Sequence, residues 1–197
     1  MFLWFFFSKE KKENIGKVRM LIGVIGKKNS GKDTLGDFLH HQYGFIKRAF
    51  ADPIKECCQL LFQFSDDQLH DPLLKETIDP RWNQTPRQIM QRVGTDLFRN
   101  HFQQDFWLTL FEQWYANNPQ KNVVCTDVRF ENEALLIKRL GGILILVERN
   151  HPPETSIDLH ESEHMTFQTV EPDYIIQNHG SSFTEYYERI QSIYQSL

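Results

Sequence analysis

The sequence predicts a three-layer α/β fold, with a parallel sheet of about five strands, helices on both faces and a small lid. Short apolar, β-branched runs alternate with stretches of helical periodicity along most of the chain. A glycine-bounded, lysine-bearing loop stands directly between the first strand and the first helix. A second apolar run, residues 123–126, ends in an acid, Asp127, as a strand does when its carboxyl end carries a ligand-facing group.

The elements follow in order. Residues 20–25 (MLIGVI) form a buried strand closed by Gly26. Residues 32–41 form a helix, with Leu35, Phe38 and Leu39 at helical spacing. Residues 45–50 are a second short strand. Pro53 opens the next helix, and Ile54, Cys57, Cys58 and Leu61 share one of its faces. Residues 65–85 are polar, carry Pro72 and Pro80, and read as a loop or insert. Pro86 starts a helix running to about Arg99. Residues 105–117 form another helix, 123–126 a strand, and 130–140 a helix stopped by Gly141-Gly142. Residues 143–147 (ILILV) are the clearest strand, and 149–169 are polar with Pro152-Pro153. A strand at 174–177 and an amphipathic helix at 183–194 complete the chain. Residues 20–197 therefore read as one domain behind a disordered or loosely packed extension, residues 1–19.

Composition narrows the function. Of 197 residues, 40% are hydrophobic and 24% charged, ordinary values for a globular chain. A net charge of -4 lacks the bulk basic field of a general nucleic-acid binder, so no nucleic-acid partner is expected. The opening MFLWFFF is seven residues, against the roughly 20 that span a bilayer. No membrane partner is expected, with a weak surface contact of residues 1–7 as the alternative. Cys57, Cys58 and Cys125 are too few for a disulfide framework and read as reduced thiols of a cytosol-like compartment.

Residues 26–34 read Gly26-Lys27-Lys28-Asn29-Ser30-Gly31-Lys32-Asp33-Thr34, the G-x-x-x-x-G-K pattern in its proper strand–helix context. Phosphate oxygens are densely negative. Glycines at both ends let successive backbone N–H groups turn in around them, and the helix N-terminus adds its positive end. Lys32 supplies a cation for the outer phosphates. The residue after that lysine is ordinarily Ser or Thr and binds Mg²⁺; here it is Asp33, with Thr34 next, so Asp33 and Thr34 are the candidate metal ligands. Asp33 facing the second substrate is the other reading. Asp127 with Arg129 two residues on places a carboxylate and a guanidinium at one strand mouth, a pair suited to a phosphorylated, hydroxylated ligand. The guanine-reading Asn-Lys-x-Asp pattern is absent from the sequence, which leaves a small kinase with a lid.

A resemblance narrows the acceptor. Residues 85–99 (TPRQIMQRVGTDLFR), with Asp105-Phe106-Trp107 after them, resemble the deoxynucleoside monophosphate kinases of phages and large DNA viruses. So do the GxxxSGKDT loop, Ala51-Asp-Pro-Ile-Lys55, Thr126-Asp-Val-Arg129 with Glu131 and Glu133, His160-Glu-Ser-Glu163 and residues 173–178. The resemblance implies a P-loop kinase fold and transfer of the γ-phosphoryl of ATP, with Mg²⁺, to a deoxynucleoside 5′-monophosphate for DNA precursor synthesis. By family position, Gly26, Asn29, Ser30, Gly31, Lys32, Asp33 and Thr34 would hold ATP and metal, with Lys32, Arg129 and Lys28 at the transferred group. Lys28, Lys55, Arg81, Arg87, Gly94, Trp107, Asp127, Arg129 and Glu133 would surround the monophosphate, with 65–85 a substrate-side insert and 149–169, including Arg149, His160 and Glu163, a lid. Trp107 would stack on the base or line its pocket, or be plain core. The resemblance also makes a homodimer, and a cytoplasmic setting (the host's if viral), expectations. The alternatives are a small P-loop kinase with a non-nucleotide acceptor, and a zinc protein using His160-Glu161-Ser162-Glu163-His164, an H-e-x-x-H match that needs a helix the surrounding prolines and threonines do not favour.

Overall fold

A computed structural model describes residues 19–149, 170–180 and 182–197. The expected extension, lid and His160–His164 motif thus fall outside the described residues, apart from Arg19 and Arg149.

Five parallel strands form one sheet in the order β2-β3-β1-β4-β5. They are β1 (Leu21–Ile25), β2 (Ile46–Lys47), β3 (Val123–Cys125), β4 (Ile143–Glu148) and β5 (Tyr174–Gln177). The helices on the sheet are α1 (Lys32–Tyr43), α5 (Phe106–Ala116), α6 (Glu131–Arg139) and α7 (Phe183–Ser196). Alternation along each strand divides the interior. Leu21, Ile25, Val123, Cys125 and Leu144 pack with α5 and α6, whereas Ile22, Val24, Val124, Ile145 and Val147 pack with α1 and α7. The predicted three-layer fold is present.

A third cluster lies off the sheet. Cys58, Phe64, Leu69, Ile89 and Val93 are buried together, with Ile54, Cys57 and Phe98 against them. They come from α2 (Asp52–Phe62), α3 (Asp66–His70), α4 (Pro86–Gln91) and the π-helix Arg92–Asn100. This small second core carries the elements between β2 and α5.

Four expectations are corrected. The 45–50 strand pairs only over Ile46–Lys47, because the chain turns at Ala49 to start α2. Leu61 is 62% exposed; Cys58 alone of its predicted face is buried. The 65–85 segment is structured: Ser65 and Gln68 form a reciprocal capping box that starts α3, and Leu74–Glu76 makes a 3₁₀ turn. The helix from Pro86 is α-helical only to Gln91 and then widens into the π-helix, where Gly94 lies against α2. A Cβ on Gly94 would stand 2.7 Å from Ile54 Cδ1. Rare π-helical geometry is concentrated at functional sites.

Candidate functional site: a phosphate loop facing a cluster of cations

The loop between β1 and α1 turns where its glycines allow. Gly31, at φ 109°, is the cap of α1, and a Cβ there would stand 2.6 Å from Asn178 Nδ2. Asn29 also takes a left-handed φ, 61°. A Cβ on Gly26 would lie 2.5 Å from Val147 O and 2.6 Å from Ser30 Oγ. Three distant residues fasten the loop from outside. Asn178 Nδ2 donates to Ser30 O at 2.8 Å, and Tyr186 OH on α7 donates to Gly31 O at 2.9 Å. Burial pushes the Tyr186 phenol up, so it stays a proton donor. Arg149 NH1 donates to Asn29 O at 3.2 Å.

The loop's charged groups lie at its mouth. Lys32 Nζ donates to Lys27 O at 2.6 Å, and Lys28 and Asn29 are exposed. Ser30 Oγ is buried with no hydrogen-bond partner among the described residues. Asp33 is exposed, and its Oδ1 accepts from Thr126 Oγ1 at 3.0 Å, so the end of β3 meets the start of α1. This set fits a nucleoside triphosphate with Mg²⁺. The cradle is closed to a Cβ, and the unpartnered Ser30 hydroxyl and the Lys32 ammonium lie at the loop. Mg²⁺ commonly takes one or two carboxylates and lets phosphates complete its oxygen shell, a role open to Asp33 with Thr34 beside it. No group of three or more His, Cys, Asp or Glu suited to a metal occurs among the described residues.

Within electrostatic reach of one another and of Asp33, at the start of α1, cations gather from separate elements. Lys55 on α2, Arg87 on α4, Arg129 after β3 and Lys75 in the 3₁₀ turn are close enough for the first three to repel the Lys75 ammonium, while Asp33 attracts it. Burial first, then those three charges, lower Lys75 to about 8. Arg87 Nε pairs with Glu76, and Lys55 Nζ lies 3.9 Å from Asp52 Oδ1. Four residues named from sequence, Asp33, Lys55, Arg87 and Arg129, are thereby brought to one place.

The remaining named residues act through others. Asp127 receives the backbone N–H groups of Phe50 and Ala51 at 3.0 and 2.9 Å and the Cys125 thiol at 3.1 Å. Its carboxylate thus fixes the turn into α2, which carries Lys55. Glu133 is buried, 4% exposed, and Oε2 accepts from Arg129 N at 2.8 Å and Phe130 N at 3.0 Å. Its Oε1 accepts from Arg99 NH2 at 2.9 Å. Trp107 is core rather than an open stacking platform: it is 4% exposed and donates its indole N–H to Gly94 O at 2.8 Å. That bond satisfies a carbonyl within the π-helix. Arg81 is engaged by Asp79. Its guanidinium and backbone N–H bond the buried Asp79, holding that carboxyl well below the usual range, and NH1 reaches Gln63 O at 3.3 Å.

Thr126, Asn178, Tyr186, Arg99 and Lys75 are site-shaping residues that the sequence reasoning did not select. Thr126 and Arg99 lay inside noted segments, the one as the end of a strand and the other as the end of a helix. Asn178 closes the noted 173–178 segment and Tyr186 lies on the last helix, but they meet the loop from 148 and 155 residues away, a contact no local pattern shows.

A parallel sheet with a phosphate loop after β1, facing a cationic cleft, defines a phosphotransferase of the P-loop kinase fold. The crystal structure of a protein from Chloroflexus aurantiacus, assigned as a kinase, shares this fold at a TM-score of 0.51 and 15% identity, covering 91% of this chain and 96% of its own. The family model for deoxynucleotide monophosphate kinase matches residues 20–79 and 64–190. A protein of Acanthamoeba polyphaga mimivirus, assigned as a deoxynucleotide monophosphate kinase, is 39% identical over 186 residues, 88% of this chain and 95% of its own. The deoxynucleotide monophosphate kinase of Enterobacteria phage T4 is 24% identical over 247 aligned positions, covering 90% and 99%. The chain belongs to the deoxynucleotide monophosphate kinase family.

Proposed function

We propose that this protein transfers the γ-phosphoryl of ATP, with Mg²⁺, to a deoxynucleoside 5′-monophosphate, giving a deoxynucleoside diphosphate and ADP for DNA precursor synthesis. The observation that carries this reading is the convergence of Lys55, Arg87 and Arg129 opposite Asp33 and the phosphate loop. Transfer between two polyanions needs alignment and charge neutralisation more than covalent help. In this reading the loop N–H groups, Ser30 and Lys32 bind the ATP phosphates. Asp33 and Thr34 would hold Mg²⁺, whose chemistry there would be charge neutralisation. The arginines grip the acceptor's phosphate through paired N–H groups, and Lys28 stands at the transferred group. Asp127, Glu133, Gly94 and Trp107 shape the acceptor side by fixing the elements that bear the cations.

An ADP-release assay with ATP, Mg²⁺ and a panel of deoxy- and ribonucleoside monophosphates tests this. Turnover with one or more deoxynucleotides is the expected result. Turnover with none of them, while ATP still binds, overturns the acceptor and favours a P-loop kinase with a non-nucleotide acceptor.

A further inference from the structure

Lys75 lies in the polar stretch where the sequence shows no pattern, yet its backbone is firmly held. Asp71 Oδ1 accepts the N–H groups of Leu73 and Leu74, both at 2.9 Å, and Asp71 O accepts from Lys75 N at 3.0 Å. Thr77 Oγ1 donates to Leu73 O at 2.9 Å. The next residue, Glu76, pairs with Arg87 on α4. The turn is therefore tied on one side to its own start and on the other to an element of the cation cluster. Lys75 itself is half-buried, and among the described residues its ammonium has neither an ion pair nor a hydrogen bond.

A half-buried lysine beside three other cations is unfavourable in the empty protein. Burial removes its hydration and the neighbours repel it. A structural lysine would meet a carboxylate, but Glu76 is turned to Arg87, and Asp33 offers attraction without contact. The arrangement becomes favourable when a dianion enters.

We propose that Lys75 is a further acceptor-phosphate residue, delivered by the 71–77 turn to complete a four-cation clamp with Lys55, Arg87 and Arg129. This rests on the acceptor reading above. The groups facing Lys75 are Asp33 from α1, Lys55 from α2, Arg87 from α4 and Arg129 from the segment after β3, with Glu76 on its own turn. With the ammonium lowered to about 8, the empty site holds it partly uncharged at pH 8, and an entering phosphate dianion draws a proton onto it. The guanidiniums fix direction, and the lysines supply point charge.

The test uses the full chain and compares Lys75→Met and Lys75→Arg with wild type. A lost charge-assisted contact raises KM roughly tenfold to a hundredfold. Lys75→Met is expected to do so for the deoxynucleoside monophosphate with the KM for ATP within about twofold of wild type, while Lys75→Arg restores most of the acceptor affinity. Calorimetry at pH 8 in two buffers of different ionisation heat is expected to show proton uptake on acceptor binding in wild type and its loss in both variants. A wild-type acceptor KM in Lys75→Met, or an equal rise in both KM values, overturns the proposal. If wild type phosphorylates none of the nucleotides, the acceptor reading has failed by itself. Binding of inorganic phosphate with the loop filled by ADP then decides for Lys75: weaker binding in Lys75→Met supports the clamp, and unchanged binding overturns it.

Discussion

Glu133 Oε2 accepts the backbone N–H of Arg129 at 2.8 Å, so a carboxylate four residues on sets where the Arg129 side chain leaves the main chain. The same carboxylate is anchored from behind by Arg99 at 2.9 Å, itself only 9% exposed and stacked 3.6 Å over Phe130. At pH 8, where Glu133 is ionised, removing it leaves the Arg99 charge buried without its carboxylate, which costs about 3–5 kcal/mol. Glu133→Ala is expected to lower urea resistance by that amount, and to weaken the acceptor more than ATP wherever the protein still folds. Unchanged stability would show that the pair does not hold this corner.

Glu133 also gives stability a pH signature. Burial, then the charge of Asp127, raises its carboxyl from 4.5 to about 7. The native state therefore keeps its proton where the unfolded chain has lost it. That contribution is full below about pH 4.5 and fades as pH rises through about 7, a change of up to roughly 3 kcal/mol. Urea unfolding of wild type and Glu133→Gln from pH 4.5 to 8 checks it. The stability of wild type relative to the variant is expected to fall across this range, and a flat difference would contradict it.

Much of the fold was legible because its signals are local. The apolar run at 143–147 and the glycines at 26 and 31 each carry their own pattern, and the order of elements followed from them. The second core was less visible. Its Ser65–Gln68 capping box was present in sequence, but five helical residues between prolines lack an apolar period. The π-helix at Arg92–Asn100 keeps a helical composition while changing its hydrogen bonding, so only coordinates distinguish it from α-helix. At the site, Lys55, Arg87, Arg129 and Asp33 all act on the Lys75 ammonium. Trp107 is core and Arg81 is bound to Asp79, because which partner a side chain finds depends on how the segments pack. Asp79 lies two residues from Arg81, and Gly94 lies 13 from Trp107.

Lys32 lies at the mouth of the loop with its ammonium on Lys27 O at 2.6 Å. Phosphate oxygens are expected to replace that carbonyl. Lys32→Ala removes a cation aimed at developing charge, a loss of at least about a hundredfold in kcat. Circular dichroism is expected to match wild type, since Lys32 is not part of the buried core. Turnover like wild type in this variant would refute the role.

Arg129 and Arg81 should separate cleanly. Arg129 faces the cation cluster, so Arg129→Ala is expected to raise the acceptor KM or lower kcat with ATP binding little changed. Arg81 is engaged with Asp79, so Arg81→Ala should lower the melting temperature and leave the acceptor KM near wild type. Steady-state kinetics with thermal melts distinguish the two. A large acceptor KM effect at Arg81 with no loss of stability would return that residue to the substrate side.

The phosphate loop depends on residues from the other end of the chain. Asn178 takes Ser30 O, and in a trans peptide the Gly31 N–H must then point the opposite way. Tyr186 takes Gly31 O and orients the Lys32 N–H by the same geometry. Asn178 is itself held by its N–H to Glu148 O at 2.7 Å and by Gly180 N to its Oδ1 at 3.1 Å. Each bond is worth about 0.5–1.5 kcal/mol, so Asn178→Ala and Tyr186→Phe should each raise the KM for ATP roughly twofold to tenfold, with the acceptor KM unchanged. The double variant should exceed the sum of the two, because either bond alone still restrains the loop. Gly31→Ala goes further: it puts a Cβ 2.6 Å from Asn178 Nδ2 at a φ of 109°, so ATP binding should be lost while the fold survives. Calorimetry with ATP on the folded variants measures all four, and wild-type ATP affinity in Asn178→Ala would show that the loop holds its shape unaided.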